Sequence, residues 1–262
     1  MKKNKADTSV ANKPIMSRFP VFFLLLLIIF FSTKNTFGQE QPAEFYNTYF
    51  DKIMGIQNTG LYQGIVYSEK YRTINEETQF FKTSRFLSGS VNYEGQDYYD
   101  LDLKYDVYDD KVLLKLATSV GGGTLQLFSD RLNSFVIDGH NFIKILPKDT
   151  PQINLYGFYE VSMSGTYFTL FTKLTKKSFQ RNDRSSIYYE FVPGKSEYVL
   201  LYDGAYHVIG SKKDVTKLFP NQKKPIDKFY NLARRLRSSD LDAFQVALMK
   251  RIGVLLSQTN NQ

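Results

Sequence analysis

The sequence predicts a mainly β protein, an antiparallel sandwich or open barrel of about ten short strands, followed by a C-terminal helical segment. Two observations predict it. Across residues 61–210, short runs rich in Tyr, Phe, Val, Ile and Thr alternate with turn residues, and after residue 211 the apolar spacing becomes helical. Four parts are therefore expected: a leader (1–38), a helical lead-in (39–60), an antiparallel β domain (61–210) and a basic helical tail (211–262) packed on that domain.

Residues 101–108 give the clearest strand pattern. Apolar and charged side chains alternate there: Leu101, Leu103, Tyr105 and Val107 on one face, Asp102, Lys104 and Asp106 on the other. Period two with one charged face is typical of an antiparallel strand that has one buried and one solvated side. Composition predicts nine further strands, at residues 89–93, 112–116, 124–128, 134–137, 142–145, 158–161, 168–173, 187–191 and 198–202.

Turn dipeptides punctuate the β region. Five of them can each supply a tight hairpin: Glu94-Gly95, Asp109-Asp110, Asp138-Gly139, Pro193-Gly194 and Asp203-Gly204. Their spacing indicates a sheet whose strands meander.

The C-terminal part follows a helical period. Its first apolar stripe consists of Ile226, Phe229, Ala233 and Leu236. Pro225 suits the first position of this helix. A second helix is expected to begin at Ser239, because Ser239 and Asp242 have the spacing of a capping box. Shorter helices are expected at residues 211–219 and 43–56.

The first 38 residues have the layout of a secretory signal peptide. Basic residues precede an unbroken apolar run from Val21 to Phe31, which is shorter than the roughly 20 residues that a membrane-spanning helix needs. Small residues at Thr36 and Gly38 suit signal peptidase, so the mature chain is expected to begin at Gln39. We expect an exported protein of the periplasm or the periplasmic face of the outer membrane, with no transmembrane span after cleavage.

Charge is unevenly distributed along the chain. Residues 211–262 hold eleven Lys and Arg against four Asp, a net charge of +7, whereas residues 39–210 carry a net charge of −4. Nine cations fall within 26 residues: Lys212, Lys213, Lys217, Lys223, Lys224, Lys228, Arg234, Arg235 and Arg237. Such a density favours contact with an anionic surface. A merely solvated helical face is the alternative.

Several chemistries are absent or weakly indicated. The chain has no cysteine, which excludes disulfides, thiol catalysis and thiolate metal sites. His140, in a turn, and His207, in an expected strand, have no spacing that makes them joint metal ligands. Glycines 121–123 lead into a strand pattern, which favours a loop over a phosphate site. Six aspartates between residues 97 and 110 lack EF-hand spacing and fit a solvated strand face better than a calcium site. We expect no catalytic residue, metal or cofactor.

Three segments resemble a family of uncharacterised exported β-rich envelope proteins common in Bacteroidota. They are GSVNYEGQDYYDLDLKYDVYDD at residues 89–110, GFYE at residues 157–160 and SKKDVTKLF at residues 211–219. The resemblance implies a Gram-negative envelope location. It brings no activity or catalytic residue to carry over.

The leading functional hypothesis is a non-enzymatic envelope protein, a binding or accessory module whose partner is an envelope protein or an anionic lipid surface, with no role in nucleic-acid binding. The alternative is a periplasmic carrier of lipid or another apolar ligand, which an apolar cavity lined by Leu101, Leu103 and Val107 would favour. A hydrolase would need a serine or a carboxylate pair beside His140 or His207.

Overall fold

The computed structural model describes residues 58–73, 76–116, 123–147, 153, 156–183 and 186–259. Over these residues the chain forms thirteen β-strands, four α-helices and two short 3-10 helices, Gly60–Tyr62 and Pro220–Gln222. The expected leader (1–38), the expected lead-in up to residue 57, the expected helix at residues 43–56 and the glycines at 121 and 122 lie outside the described residues.

The strands run through the first two thirds of the described chain. They are β1 (Gly64–Val66), β2 (Leu87–Tyr93), β3 (Gln96–Asp106), β4 (Lys111–Lys115), β5 (Thr124–Leu127), β6 (Leu132–Ile137), β7 (His140–Ile145), β8 (Gly157–Ser164), β9 (Phe168–Lys173), β10 (Lys176–Asp183), β11 (Ser186–Pro193), β12 (Glu197–Tyr202) and β13 (Ala205–Val208). All ten expected strands are found, β13 is the strand expected around His207, and β1 and β10 are additional.

Eleven strands form one antiparallel sheet in the order β1-β5-β4-β3-β2-β6-β7-β8-β9-β12-β13, and β10 and β11 form a separate hairpin. The sheet is open, with β1 and β13 at its two edges. Most neighbours follow each other along the chain, as a meander requires, while β2 with β6, β9 with β12 and β1 with β5 are longer-range pairs. The predicted fold class, a mainly β chain that forms an antiparallel sandwich or open barrel with a C-terminal helical segment, is confirmed, because the sheet is not closed.

Turn chemistry sets three of the hairpins. Two-residue turns join β2 to β3, β6 to β7 and β12 to β13 through Glu94-Gly95, Asp138-Gly139 and Asp203-Gly204. All six of these residues have positive φ, which is the backbone of a type I′ turn and matches the twist of the strands. The turn between β3 and β4 is longer and ends at Asp110, whose φ is 57°.

The prediction of a hairpin at Pro193-Gly194 is wrong. Residue 193 ends β11, which pairs with β10, whereas the next strand, β12, pairs with β9 in the main sheet. The Gly194 N–H donates instead to the carbonyl of Thr175, so the two connections of the β10–β11 hairpin meet where that hairpin leaves the sheet.

Residues 79–81, which precede β2, cover the end of β3. The face of β3 that was expected to be solvated is therefore partly buried. Asp102 is exposed, as predicted, but Asp106 is only 1% exposed. Phe80 forms a bridge with Asp106, the Phe81 N–H donates to the Tyr105 carbonyl and the Val107 N–H donates to the Gln79 carbonyl. Residues 79–81 thus pair with β3 and bury a carboxylate that alternation alone places in solvent.

An aromatic core fills the sheet from β2 to β8. Phe135 and Phe142 stack with their ring centroids 4.7 Å apart, and Tyr105 packs against both. Leu61 and Phe81, from outside the strands, complete this core. A second core lies between β9, β12 and the helices.

The helices follow β13 and are α1 (Lys212–Leu218), α2 (Lys223–Leu232), α3 (Arg234–Ser239) and α4 (Leu241–Thr259). No helix of the described residues is both long enough and apolar enough to span a membrane.

Two helix boundaries differ from the predictions. Pro225 is the third residue of α2, and α4 is capped by Asp240, not by Ser239. The Asp240 carboxylate accepts the Ala243 N–H at 2.8 Å, whereas the Ser239 hydroxyl donates to the Leu236 carbonyl. Aspartate satisfies the free N–H groups of a helix start as well as serine does, which is why the sequence pattern was ambiguous by one residue.

Candidate functional site: the basic helical surface

Local capping and apolar burial together position the C-terminal helices. At the start of α1, the Asp214 N–H donates to the Ser211 hydroxyl at 3.3 Å, and the Ser211 N–H donates to the Asp214 carboxylate at 2.7 Å. This capping box fixes α1 directly after the sheet. The helices then bury their apolar stripe on β9 and β12, through Val215, Ile226, Tyr230, Phe244, Leu248, Met249 and Ile252. Their polar faces are consequently turned to solvent.

The nine predicted cations all lie on these solvent faces. Each of the following is exposed: Lys212, Lys213, Lys217, Lys223, Lys224, Lys228, Arg234, Arg235 and Arg237. Lys250 and Arg251 of α4, which the prediction left out, are exposed as well. We call these eleven residues the basic helical surface. The structure brings the predicted residues onto one helical region.

All four acidic side chains of the helical region form hydrogen bonds or an ion pair within the protein. Asp214 and Asp240 cap helices, and the Asp242 carboxylate accepts a hydrogen bond from the Tyr198 hydroxyl. Burial raises the pKa of the Tyr198 phenol, as does the hydrogen bond to Asp242. Only Asp227 forms an ion pair, with Lys212 at 2.7 Å. Ten of the eleven cations therefore have no ion-pair partner within the described residues.

Two of the helices border a groove. It has a volume of about 550 Å³ and is lined by Lys224, Pro225, Lys228, Phe229, Leu232 and Arg251. Lys224, Lys228 and Leu232 recur every four residues and so lie along one face of α2, while Arg251 comes from α4. We call this the α2–α4 groove. The recurrence on α2 is visible in the sequence, but the approach of Arg251 depends on how the two helices pack.

Two other surface cavities are formed by described residues. One, of about 460 Å³, is lined by His207, Val208, Asp214, Lys217 and Leu218. The other, of about 350 Å³, is lined by Lys195, Ser196, Glu197, Tyr198, Val208, Gly210 and Leu241. Each includes one carboxylate, which the α2–α4 groove lacks.

The residues expected to line a carrier cavity are packed in the core. Leu101, Leu103 and Val107 are 5%, 0% and 6% exposed and belong to the cluster around Tyr105. None of them lines any of the three cavities described above. The sheet interior, as far as the structure describes it, gives the carrier hypothesis no support.

His140 has charged neighbours that the sequence did not predict. It begins β7, directly after the turn in which it was expected, and its Nδ1 lies 2.6 Å from a Glu160 carboxylate oxygen on β8. Its Nε2 lies 2.7 Å from the Lys82 ammonium, which also pairs with Asp138 at 2.8 Å. Because an ammonium group only donates hydrogen bonds, Nε2 accepts from Lys82 and the Nδ1–H donates to the Glu160 carboxylate. The Nε2 atom, which would have to accept the proton of a serine nucleophile, is therefore already hydrogen-bonded to Lys82.

Two of the aspartates considered for calcium form ion pairs with lysines. Asp102 pairs with Lys115, and Asp109 pairs with Lys70 and Lys111. Within the described residues, no three His, Cys, Asp or Glu side chains are close enough to hold a metal ion.

Asp110 belongs to a buried network at the sheet end. Its carboxylate accepts the Tyr105 hydroxyl at 2.6 Å and the Lys173 ammonium at 2.8 Å. Lys173 also donates to the Phe158 carbonyl. Burial lowers the pKa of Lys173, and the carboxylate of Asp110 opposes that change. The network is fully paired and joins the turn after β3 to β8 and β9, so its role is structural.

Comparison with known proteins gives no family to which this arrangement can be assigned: no family model, curated protein or solved structure matches the chain.

Proposed function

We propose that this protein is an exported binding module of the bacterial cell envelope, and that its basic helical surface binds an anionic lipid surface. One observation carries the proposal. Ten exposed cations share one helical region in which every carboxylate is already engaged. Their charge is thus available to an external partner.

An anionic lipid surface fits this arrangement better than a small anion. Juxtamembrane clusters of lysine and arginine gain about 1 kcal/mol per residue near an anionic bilayer. The cations here are spread over α1, α2, α3 and α4 instead of converging on a point, which suits an extended array of phosphates. Leu232, which is 76% exposed between basic residues, adds an apolar side chain that can enter the interface.

The envelope location rests on the leader. A basic start followed by a short apolar run and small residues at Thr36 and Gly38 is the pattern of an exported chain. The resemblance to Bacteroidota envelope proteins agrees with that expectation. Outside the cytoplasm, lipid phosphates are the abundant anionic surface.

Sedimentation with vesicles tests the proposal. The chain from residue 39 is mixed with vesicles of phosphatidylcholine alone or of phosphatidylcholine with phosphatidylglycerol, over a range of salt. We expect binding only to the anionic vesicles, and we expect it to weaken steeply with salt because the attraction is electrostatic.

A matched pair of variants locates the binding surface. The helical variant combines Lys213→Gln, Lys217→Gln and Arg235→Gln, and the sheet variant combines Arg72→Gln, Arg85→Gln and Lys177→Gln. All six residues are exposed, and both variants remove three positive charges. At about 1 kcal/mol per cation, the helical variant should weaken binding by roughly a hundredfold, while the sheet variant stays near wild type. Equal losses, or equal binding to both vesicle types, would contradict the proposal.

A further inference from the structure

We propose that the α2–α4 groove is a site for one anionic phospholipid, with an acyl chain along its apolar wall and the phosphate at its basic rim. This inference rests on the proposed function. It adds a site for one bound lipid to a surface whose cations otherwise act together on many phosphates.

The wall of the groove is apolar and open to solvent. Pro225 and Phe229 are half-buried, and Leu232 is 76% exposed at the end of the same helix. Single exposed leucines are common on protein surfaces. Here Leu232 continues a wall that already contains a proline and a phenylalanine, within a groove of about 550 Å³. That volume lies within the range of about 300 to 1,000 Å³ of small-molecule sites.

The rim of the groove is basic on both sides. Lys224 and Lys228 lie one turn apart on α2, and Arg251 lies on α4. None of the three has an ion-pair partner within the described part of the chain. Arginine binds phosphate in a bidentate manner and lysine binds it as a point charge, so the groove offers both kinds of phosphate contact.

Charge complementarity selects this groove among the three described cavities. Asp214 lines the second cavity and Glu197 lines the third, and either carboxylate would repel a phosphate. The α2–α4 groove combines three cations with three apolar residues and no acid. A free phosphate would leave the apolar wall uncovered, and a neutral apolar ligand would leave the cations unused. An anionic amphiphile satisfies both parts.

Calorimetric titration with dihexanoyl phosphatidylglycerol below its micelle concentration tests the site, because this short lipid offers the groove a single molecule and no bilayer. Two variants with the same loss of charge are compared. The groove variant combines Lys224→Gln, Lys228→Gln and Arg251→Gln, and the surface variant is the helical variant defined above. Leu232→Asn tests the apolar wall, and its exposed position makes it harmless to folding.

We expect one lipid per chain in the wild type and the surface variant. The groove variant should lose roughly a hundredfold in affinity, because it removes all three charged partners of the phosphate. Leu232→Asn should weaken the lipid severalfold, and inorganic phosphate should bind far more weakly than the lipid, since it covers no apolar surface.

Three results would overturn the site. They are the absence of saturable binding by the short lipid, equal losses in the groove and surface variants, or equal affinity for inorganic phosphate. If the wild type still sediments with anionic vesicles, the proposed function stands without the groove. If it binds neither vesicles nor the short lipid, both proposals fail.

Discussion

In the described sheet region, residues 58–210, seven lysine and arginine side chains form ion pairs with aspartate or glutamate. In the described helical region, residues 211–259, only Lys212 forms such a pair. Both regions have buried apolar cores. They differ in how their charges are compensated, because the sheet region has acids near its cations and the helical region uses its four acids mostly for helix caps and a tyrosine hydrogen bond.

This difference shows that net charge alone does not mark a binding surface. A cation paired with a carboxylate of its own chain has its charge largely compensated and gains less from an external anion. An exposed helical cation that has no ion-pair partner remains available to attract an external anion. The seven paired cations of the sheet region therefore serve its own structure, and we assign the unpaired cations of the helical region to an outside partner.

The largest effect on stability is expected at the buried pair of the sheet region. Asp110→Asn keeps a residue that tolerates positive φ but removes the negative charge beside Lys173, whose side chain is 7% exposed. An uncompensated buried charge should lower the free energy of unfolding by about 3 kcal/mol. Urea unfolding at neutral pH measures it.

Two controls sharpen that comparison. Adding Lys173→Met to Asp110→Asn should restore part of the stability, since the unpaired charge is then gone. Lys213→Gln in the helical region should change the free energy of unfolding by less than about 0.5 kcal/mol. A helical substitution as costly as Asp110→Asn would show that the helical cations also have internal partners.

A smaller change in the free energy of unfolding, this time an increase, is expected when Asp106 is replaced. Burial raises the pKa of Asp106 to about 6, although backbone N–H groups of Asp109 and Tyr108 donate to its carboxylate. An acid whose pKa is higher in the folded chain keeps its proton longer when folded. Its stability contribution is therefore largest below about pH 4 and falls as pH rises through about 6.

Asp106→Asn should remove this penalty. The amide oxygen can still accept both N–H groups, so the variant should be more stable than the wild type by about 2 kcal/mol at pH 7.5 and nearly equal to it at pH 4. Urea unfolding at the two pH values measures the difference. A variant that is less stable at pH 7.5 would mean that the carboxylate is stabilised by charge, as in the ion pairs elsewhere in the sheet region.

The smallest of these effects is expected at the start of α4. Asp240→Ala removes the cap on Ala243 and should lower the free energy of unfolding by about 1 kcal/mol, while Ser239→Ala should leave it near the wild-type value. Thermal unfolding of the two variants measures the difference. A larger loss of stability for Ser239→Ala than for Asp240→Ala would support the capping box that the sequence predicted at Ser239.

Local chemistry explains which parts of the fold could be predicted. The type I′ turns at Glu94-Gly95, Asp138-Gly139 and Asp203-Gly204 follow from residues that tolerate positive φ. Strand β10 was missed because its sequence, KKSFQRND, has no apolar alternation, and among the described strands it pairs with β11 alone. The burial of Asp106 depends on residues 79–81, which lie far from it in sequence and have no strand pattern of their own.

The candidate site was predictable in composition but not in shape. Nine cations could be named because they stand close together in the sequence. Their freedom from ion pairs depends on where four aspartates point, and the α2–α4 groove depends on Arg251 approaching α2 from another helix. Both are results of packing, which a sequence pattern does not contain.

Lysine modification in the presence and absence of anionic vesicles tests the central comparison most directly. The chain is acetylated at its exposed lysines and the modified positions are quantified by mass spectrometry. We predict that vesicles protect Lys213, Lys217, Lys224 and Lys228 of the helical region and leave Lys177 and Lys195 of the sheet region as reactive as before. Protection of the sheet lysines instead, or no protection of either set, would contradict the assignment of the helical region's charges to a lipid surface.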